Sequence, residues 1–259
     1  MSDFFIPPAK IPTKEESRLA SLKWLEPLEF TLLDRIPQDV MDLSAETKFF
    51  KIPLDLMMDA YEGKPSVLDD FVSEVDRKVG WSGHIWKLNS RSPKDAWSYP
   101  PITPSAKQAM DWILASERAL DDLVRFSHIE DVAPAYLCAR KPIRFGKFGF
   151  NEFRCFVKNG NLIAISDYDY CDPNKLLRDY HNFENDVVES IHKFFDTLKP
   201  RFAHQDYVFD VIISLQYDVK LIEINPYRLS DPCFFRNYED VENACPRRIK
   251  TGEGAQNVR

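Results

Sequence analysis

Three oxygen-bearing side chains stand inside the two most apolar runs of the chain. The stretch YVFDVIISLQYDVKLIEINPY, residues 207–227, places Asp210 in VFDVII and Glu223 and Asn225 in LIEIN. A buried, unpaired carboxylate costs several kcal/mol or gives up its charge. If the runs form a hairpin turning at Gln216-Tyr217, facing residues have numbers summing to a constant, and Asp210 stands opposite Glu223. Cross-strand neighbours are about 5 Å apart at Cβ, where like charges repel. Asn225, two residues from Glu223, points to the same face. Hard oxygen ligands without sulfur or imidazole suit Mg²⁺ or Mn²⁺. Magnesium commonly shares its shell with water and substrate phosphates, so the pair points to a nucleotide. A plainer reading stays open, in which the acids face solvent on a half-buried sheet. A glycosidase-like acid/base pair fits less well, because an amide shares the face and no substrate-stacking aromatic is evident.

Phosphates would also need positive groups. Lys87 ends the run HIWKLN, Arg140 and Lys141 close AYLCARK, and Arg154 lies in EFRCFV. A single Lys or Arg in a strand is more often an edge solvator or a snorkelling side chain. The run ARKPIRFGKFGFNEFR, with Arg144 and Lys147, is basic, interleaved with apolar residues and glycine, and leads into a strand. It contains no GxxxxGK[ST] loop, and no GxGxxG or GxSxG element supports a P-loop, dinucleotide-fold or nucleophilic hydrolase reading.

The elements that must position these groups follow from periodicity. Residues 1 to about 16 read as loosely held, and the proline-broken pieces up to about 60 give no assignment. VLDDFVSEVDRKVG reads as a helix stopped by Gly80, and HIWKLN as a short strand before the polar loop SRSPKDA. Thr103–Phe126 reads as one helix, capped by Thr103 with Pro104 in its first turn. AYLCAR is a strand. EFRCFVKNGNLIAISD is a hairpin turning at Asn159-Gly160. Phe183 to Leu198 is a second amphipathic helix, and the tail PRRIKTGEGAQNVR reads as disordered. The order is α+β, without regular βαβ alternation.

The 259 residues, 44% hydrophobic and 13% aromatic, suffice for one large domain or two lobes. A net charge of −7 argues against a dedicated nucleic-acid binder, though local basic clusters leave RNA contact open. No apolar run approaches a membrane span, and the N-terminus lacks a secretory pattern. Cys138, Cys155, Cys171, Cys233 and Cys245 are widely spaced, with no CxxC pair and no histidine at zinc-ligand spacing. The expectation is a cytoplasmic protein.

KLNSRSPKDAW, the strand ending ARK, NEFRCFVKNGNLIAISDYDY and YVFDVII…VKLIEINPY follow one another as in the cell division cycle protein 123 family, which this sequence resembles over about residues 80–235. That resemblance implies an ATP-grasp relative, two α+β lobes with antiparallel sheets enclosing Mg-ATP. It divides the chain into an N-terminal extension (1–45), a first lobe (46–135), a second lobe with the metal site (136–246) and a tail (247–259). It implies phosphate contact for Lys87, with Asn89 in the same KLN signature. Arg140 and Lys141 fall in the hinge facing adenine and the α-phosphate, and Arg154 at the phosphates. Asp210, Glu223 and Asn225 are the implied metal ligands. The sequence departs from the eukaryotic pattern at Ser90, where Trp is usual, and at Glu223, where Asp is usual. Eukaryotic members assemble translation initiation factor 2 by gripping its γ subunit, and an ATP-dependent assembly or chaperone role for a protein partner is the leading expectation. The alternatives are an ATP-grasp ligase joining a carboxylate to an amine through an acyl phosphate, and a nucleotidyl or phosphoryl transferase acting on protein or RNA. A ligase would need an electropositive acceptor pocket, for which Arg228 and the loop Arg144–Lys147 are candidates.

Overall fold

The structure is a computed structural model that describes residues 12–80, 83–96, 102–143, 150–168, 184–214 and 216–250. It is mixed α+β, with antiparallel pairing dominating its larger sheet. The chain divides into two compact units. The first takes residues 1–27, 49–82 and 86–138, and the second takes 28–48, 83–85 and 139–259.

In the first unit, α1 (Lys14–Leu25) begins earlier than a loosely held N-terminus implied. Thr13 caps it: Glu16 N donates to Thr13 Oγ1, and Thr13 N donates back to the Glu16 carboxylate. α1 packs on α6 (Glu117–His128), with Trp24 edge-on to Phe126 at 5.4 Å and Arg18 held bidentate by Asp131. After α1 come the short α2 (Gln38–Met41), which belongs to the second unit, and then α3 (Leu54–Tyr61) and α4 (Asp69–Val79), the last ending at Gly80 with φ 82°. β1 (Thr47–Lys51), β2 (Ile85–Leu88) and β3 (Tyr136–Arg140) form a three-stranded sheet in the order β1-β3-β2, of which residues 49–51, 86–88 and 136–138 belong to this unit. Trp86, Leu88, Met110, Ile113, Phe126 and Ile129 are buried at the centre of this unit.

The expected single helix from Thr103 to Phe126 is two helices. α5 (Ala106–Ala115) stops at Ser116, whose extended backbone makes it the C-cap of one helix and the N-cap of the next. Ser116 Oγ accepts from Ala119 N and donates to Asp95, while Asp95 also accepts from Arg118 N. A hydroxyl and a carboxylate that satisfy the orphan N–H groups of α6 make a second start cheaper than continuation. The first cap also differs from expectation. Ser105 accepts from Gln108 N, while Thr103 lies outside α5, its hydroxyl accepting from Ser105 N.

The second unit is built on a five-stranded sheet in the order β7-β6-β4-β5-β8. β4 (Phe150–Lys158) and β5 (Asn161–Asp167) form the expected hairpin. Asn159 and Gly160 take φ 50° and 68°, the left-handed pair that matches strand twist. The positive φ is what favours glycine at 160; a Cβ there would also meet Gln205 Oε1 at 2.6 Å, the end of a flexible exposed side chain that can move aside. β6 (Tyr207–Ser214), buried along its whole length, lies between β4 and β7 (Val219–Pro226). On one face, α7 (Glu184–Leu198) stacks Phe195 on Phe209 at 6.0 Å. On the other, Phe156, Ala164 and Val208 pack against Phe235 and Val241. Val241 lies on the short α8 (Tyr238–Glu242). The tail expected to be disordered contributes β8 (Ile249–Lys250), which pairs parallel to β5; its residues from 251 onward lie outside the described set.

Ser116 serves two helix ends at once, so Ser116→Ala should lower the unfolding free energy by about 1–2 kcal/mol. Urea unfolding measures this, and an unchanged midpoint would show that Asp95 alone caps α6.

Candidate functional site

The geometry begins with strand register. Arg154 on β4 stands opposite Asp210 on β6, and Asp210 stands opposite Glu223 on β7. The second pairing is the one the sequence predicts, with Val208 opposite Asn225 in the same register. The register holds only toward the base of the hairpin. Beyond Asp210 it shifts, so that Val211 faces Leu221 and Ile222 is the extra residue of a bulge. The turn accordingly centres on residue 216 between Ser214 and Asp218, with Ser214 N donating to Asp218 O.

Alternation along the strands puts Arg154, Asp210, Glu223 and Asn225 on one face. Asp210 is fully buried and Arg154 is 4% exposed. Arg154 Nε donates to Asp210 Oδ1 at 2.8 Å, and Nη2 to Oδ2 at 2.7 Å. Asn225 Nδ2 donates to Asp210 Oδ2 at 3.1 Å and lies 3.4 Å from Glu223 Oε1. Arg154 and the three expected metal ligands are thus brought together, but in a different relationship. The charge that relieves Asp210 here is the guanidinium. Sequence reasoning paired each hairpin within itself and did not pair β4 with β6, so it missed this partner.

Further groups fix Arg154. Its Nη1 donates to the carbonyl of Asp231 at 2.9 Å, and the Tyr168 ring lies 4.5 Å below the guanidinium carbon. Burial works against the Arg154 charge, but the field and hydrogen bonds of Asp210 outweigh it and raise its pKa. Burial pushes the neighbouring Cys155 thiol well up, so it is a small apolar filler. The loop after β7 is tied down as well. Phe234 N donates to Ser166 Oγ, and Tyr238 OH to Ser230 O. Ser166 and Tyr168 lie within the stretch NEFRCFVKNGNLIAISDYDY, but the sequence reading gives them no role there and does not single out Asp231.

The remaining candidates are placed as follows. Arg140, 6% exposed, donates from Nη2 to Ser44 Oγ at 2.6 Å. Lys141 is exposed and pairs with Glu46. Lys87 is buried on β2 of the first unit. Asn89 follows it, and backbone engages both ends of its amide: Nδ2 donates to Pro134 O, and Oδ1 accepts from Tyr136 N. Asn89 therefore braces the approach to β3. Arg228, at φ 65°, is exposed and held by Glu242. Arg144 and Lys147 lie outside the described residues.

As a cation platform the site has limited capacity. Among the described residues, the cluster sets two carboxylates beside one guanidinium. The Asn225 amide can present its oxygen by rotation about its last bond. Among the described residues, no group of three or more His, Cys, Asp or Glu could hold a metal. Such a donor set does not make a protein-only cage. It fits a hard divalent ion that keeps its waters and takes substrate oxygens.

Comparison with known proteins adds the family. The sequence model described as D123 matches residues 59–256. The chain belongs to the D123 family. Relatives within it include the translation initiation factor eIF2 assembly protein of Aspergillus fumigatus, 30% identical over 206 residues, which are 71% of this chain and 46% of that protein. Cell division cycle protein 123 of Candida glabrata is 32% identical over 187 residues, covering 62% and 48%. The chain thus spans less than half the length of either relative. The solved structure of Cdc123 from Schizosaccharomyces pombe superposes with a TM-score of 0.65 at 21% identity, over 88% of this chain and 95% of that one. This D123 member shares that fold, mixed α+β and rich in antiparallel pairing.

Breaking the buried pair on one side should be costly. Arg154→Met should lower the unfolding free energy by about 3–5 kcal/mol, and Arg154→Met with Asp210→Leu should recover much of it. A double-mutant cycle in urea measures both, and a loss under about 1 kcal/mol would mark the pair as energetically peripheral. The loop after β7 should respond to acid. Hydrogen bonds from Lys158 and Arg228 hold the Glu242 carboxyl at about 2, below its ordinary 4.5. A depressed folded value gives stability that is present above 4.5 and is lost as pH falls toward about 2. Near-UV circular dichroism should show this acid step in the wild type and a smaller one in Glu242→Gln; equal steps would refute the assignment.

Proposed function

We propose that this D123 member binds Mg-ATP at the Arg154–Asp210–Glu223–Asn225 cluster of its second unit and uses the bound nucleotide to dock a protein partner during assembly. The observation that carries this reading is the convergence of two carboxylates, an amide and a buried guanidinium on one face of the sheet. Glu223, Asn225 and Asp210 would hold the ion. Magnesium, when bound, bridges phosphate oxygens and offsets their charge. Arg154, already oriented by Asp210, Asp231 and Tyr168, supplies donors for a phosphate oxygen without having to be ordered on binding. For Lys87 the proposal is the one the resemblance carries, a positive charge for phosphate oxygens. Asn89 contributes by bracing backbone.

The proposed partner follows from the relatives. Proteins named as eIF2 assembly proteins share this family, so a translation initiation factor of that kind, and more finely its γ subunit, is the partner we assign, in the cytoplasm. No helix among the described residues is long and apolar enough to cross a membrane. The ligase alternative asked Arg228 to fix an acceptor carboxylate, but its guanidinium is engaged by Glu242 on the surface. That favours partner docking over acyl transfer.

Calorimetry tests the reading through Glu223→Gln, which leaves the Arg154–Asp210 pair intact. Loss of a direct ligand should weaken Mg-ATP binding by at least about tenfold, since even outer-shell changes cost that much. Binding of ATP in the presence of a chelator should be the same in both forms. Equal Mg-ATP affinity in wild type and variant would reject the proposed ion site.

A further inference from the structure

One short segment outside the stretch matched by the family reaches the candidate site. Leu221 N donates to Leu43 O at 3.0 Å, and Ser44 forms a parallel bridge with Leu221. Ser44 Oγ donates to Leu221 O at 2.5 Å and lies 2.6 Å from Arg140 Nη2, from which it accepts. Two residues on, Glu46 O accepts from Lys141 N at 2.9 Å, and the Glu46 carboxylate holds the Lys141 ammonium. Residues 43–46 therefore form a strap from the edge of β7 to the Arg140-Lys141 junction.

The position along β7 gives the strap its significance. Leu221 precedes Ile222, the extra residue of the bulge, and Glu223 comes next. A bulge leaves ladder groups unpaired and bends its strand, so its geometry must be held from outside the ladder. Here both backbone polar groups of Leu221 are taken by the strap. One hydroxyl does two tasks. Its single hydrogen goes to Leu221 O, and its lone pairs remain free to accept from Arg140. The Arg140 guanidinium, nearly buried, is thereby oriented by the group that fixes the bulge.

We propose that Ser44 is a positioning residue: it locks the bulged edge of β7, and hence the placement of Glu223, while aiming the Arg140 guanidinium. Its effect on ligand binding rests on the Mg-ATP reading above. Its effect on the strand edge does not.

Two measurements on wild type, Ser44→Ala and Ser44→Thr keep these apart. Amide hydrogen exchange should be about tenfold faster at Leu221 and Glu223 in Ser44→Ala, with protection in β4 and β5 unchanged; the loss of a charge-assisted hydrogen bond predicts that size. Mg-ATP affinity by calorimetry should fall by about the same factor. Ser44→Thr, which keeps the hydroxyl, should restore both. Unchanged exchange in Ser44→Ala, protection lost across β4 and β5 as well, or a threonine variant as impaired as the alanine one would each overturn the proposal. If the wild type takes up no Mg-ATP, the nucleotide reading fails, and the exchange data alone decide the role of Ser44.

Discussion

The structure of the second unit depends on how one buried charge is satisfied. Asp210 sits in the middle of β6, a strand buried at every position. Such a carboxylate can be tolerated only if both oxygens find strong donors. The Arg154 guanidinium, in register on the next strand, gives two parallel hydrogen bonds and matches the planar acceptor. Its own remaining requirements recruit the rest of the site. Nη1 reaches the Asp231 carbonyl and so ties down the loop after β7, while the Tyr168 ring covers the cation. Asn225 supplies a further donor to Asp210 and links it to Glu223. Fold specificity and site chemistry thus rest on the same pair.

The sheet face carrying this pair is divided along its length. At one end, Phe156, Val208, Phe235 and Tyr238 make a dry aromatic contact, with Phe156 edge-on to both Phe235 and Tyr238. At the other end lie the polar groups. Only Cys155 lies between Arg154 and Phe156 on β4, so the apolar contact forms one wall of low polarisability beside the ion pair. Such a wall strengthens electrostatic interactions in front of it. α7 closes the opposite face through Phe194 and Phe195, both packed near Phe209.

Much of this arrangement was legible in the sequence, and the parts that were not have specific causes. The Asn159-Gly160 turn, the strands β2 to β7 and the helix 184–198 carry local signals in turn chemistry and periodicity, and they stand where expected. The opposition of Asp210 and Glu223 followed from a simple hairpin count, although Ile222 shifts the count toward the tip. The break at Ser116 was hidden because apolar spacing continues across it, while the carboxylate that favours a new helix start comes from Asp95, far away in sequence. Likewise, nothing local announces that β4 lies beside β6, that Ile249 and Lys250 extend the sheet, or that residues 28–48 pack with the second unit. These are long-range pairings, and a sequence records them only through the surfaces each strand presents.

The division into two units has an optical consequence. The segments that compose the second unit contain no tryptophan; all five indoles belong to the segments of the first. Native ultraviolet emission therefore reports on the helical unit around Trp86 and Trp112, while the sheet around Asp210 is observed only through its tyrosines and phenylalanines. A fluorophore placed by substitution beside Glu223 would light up a region that is otherwise dark.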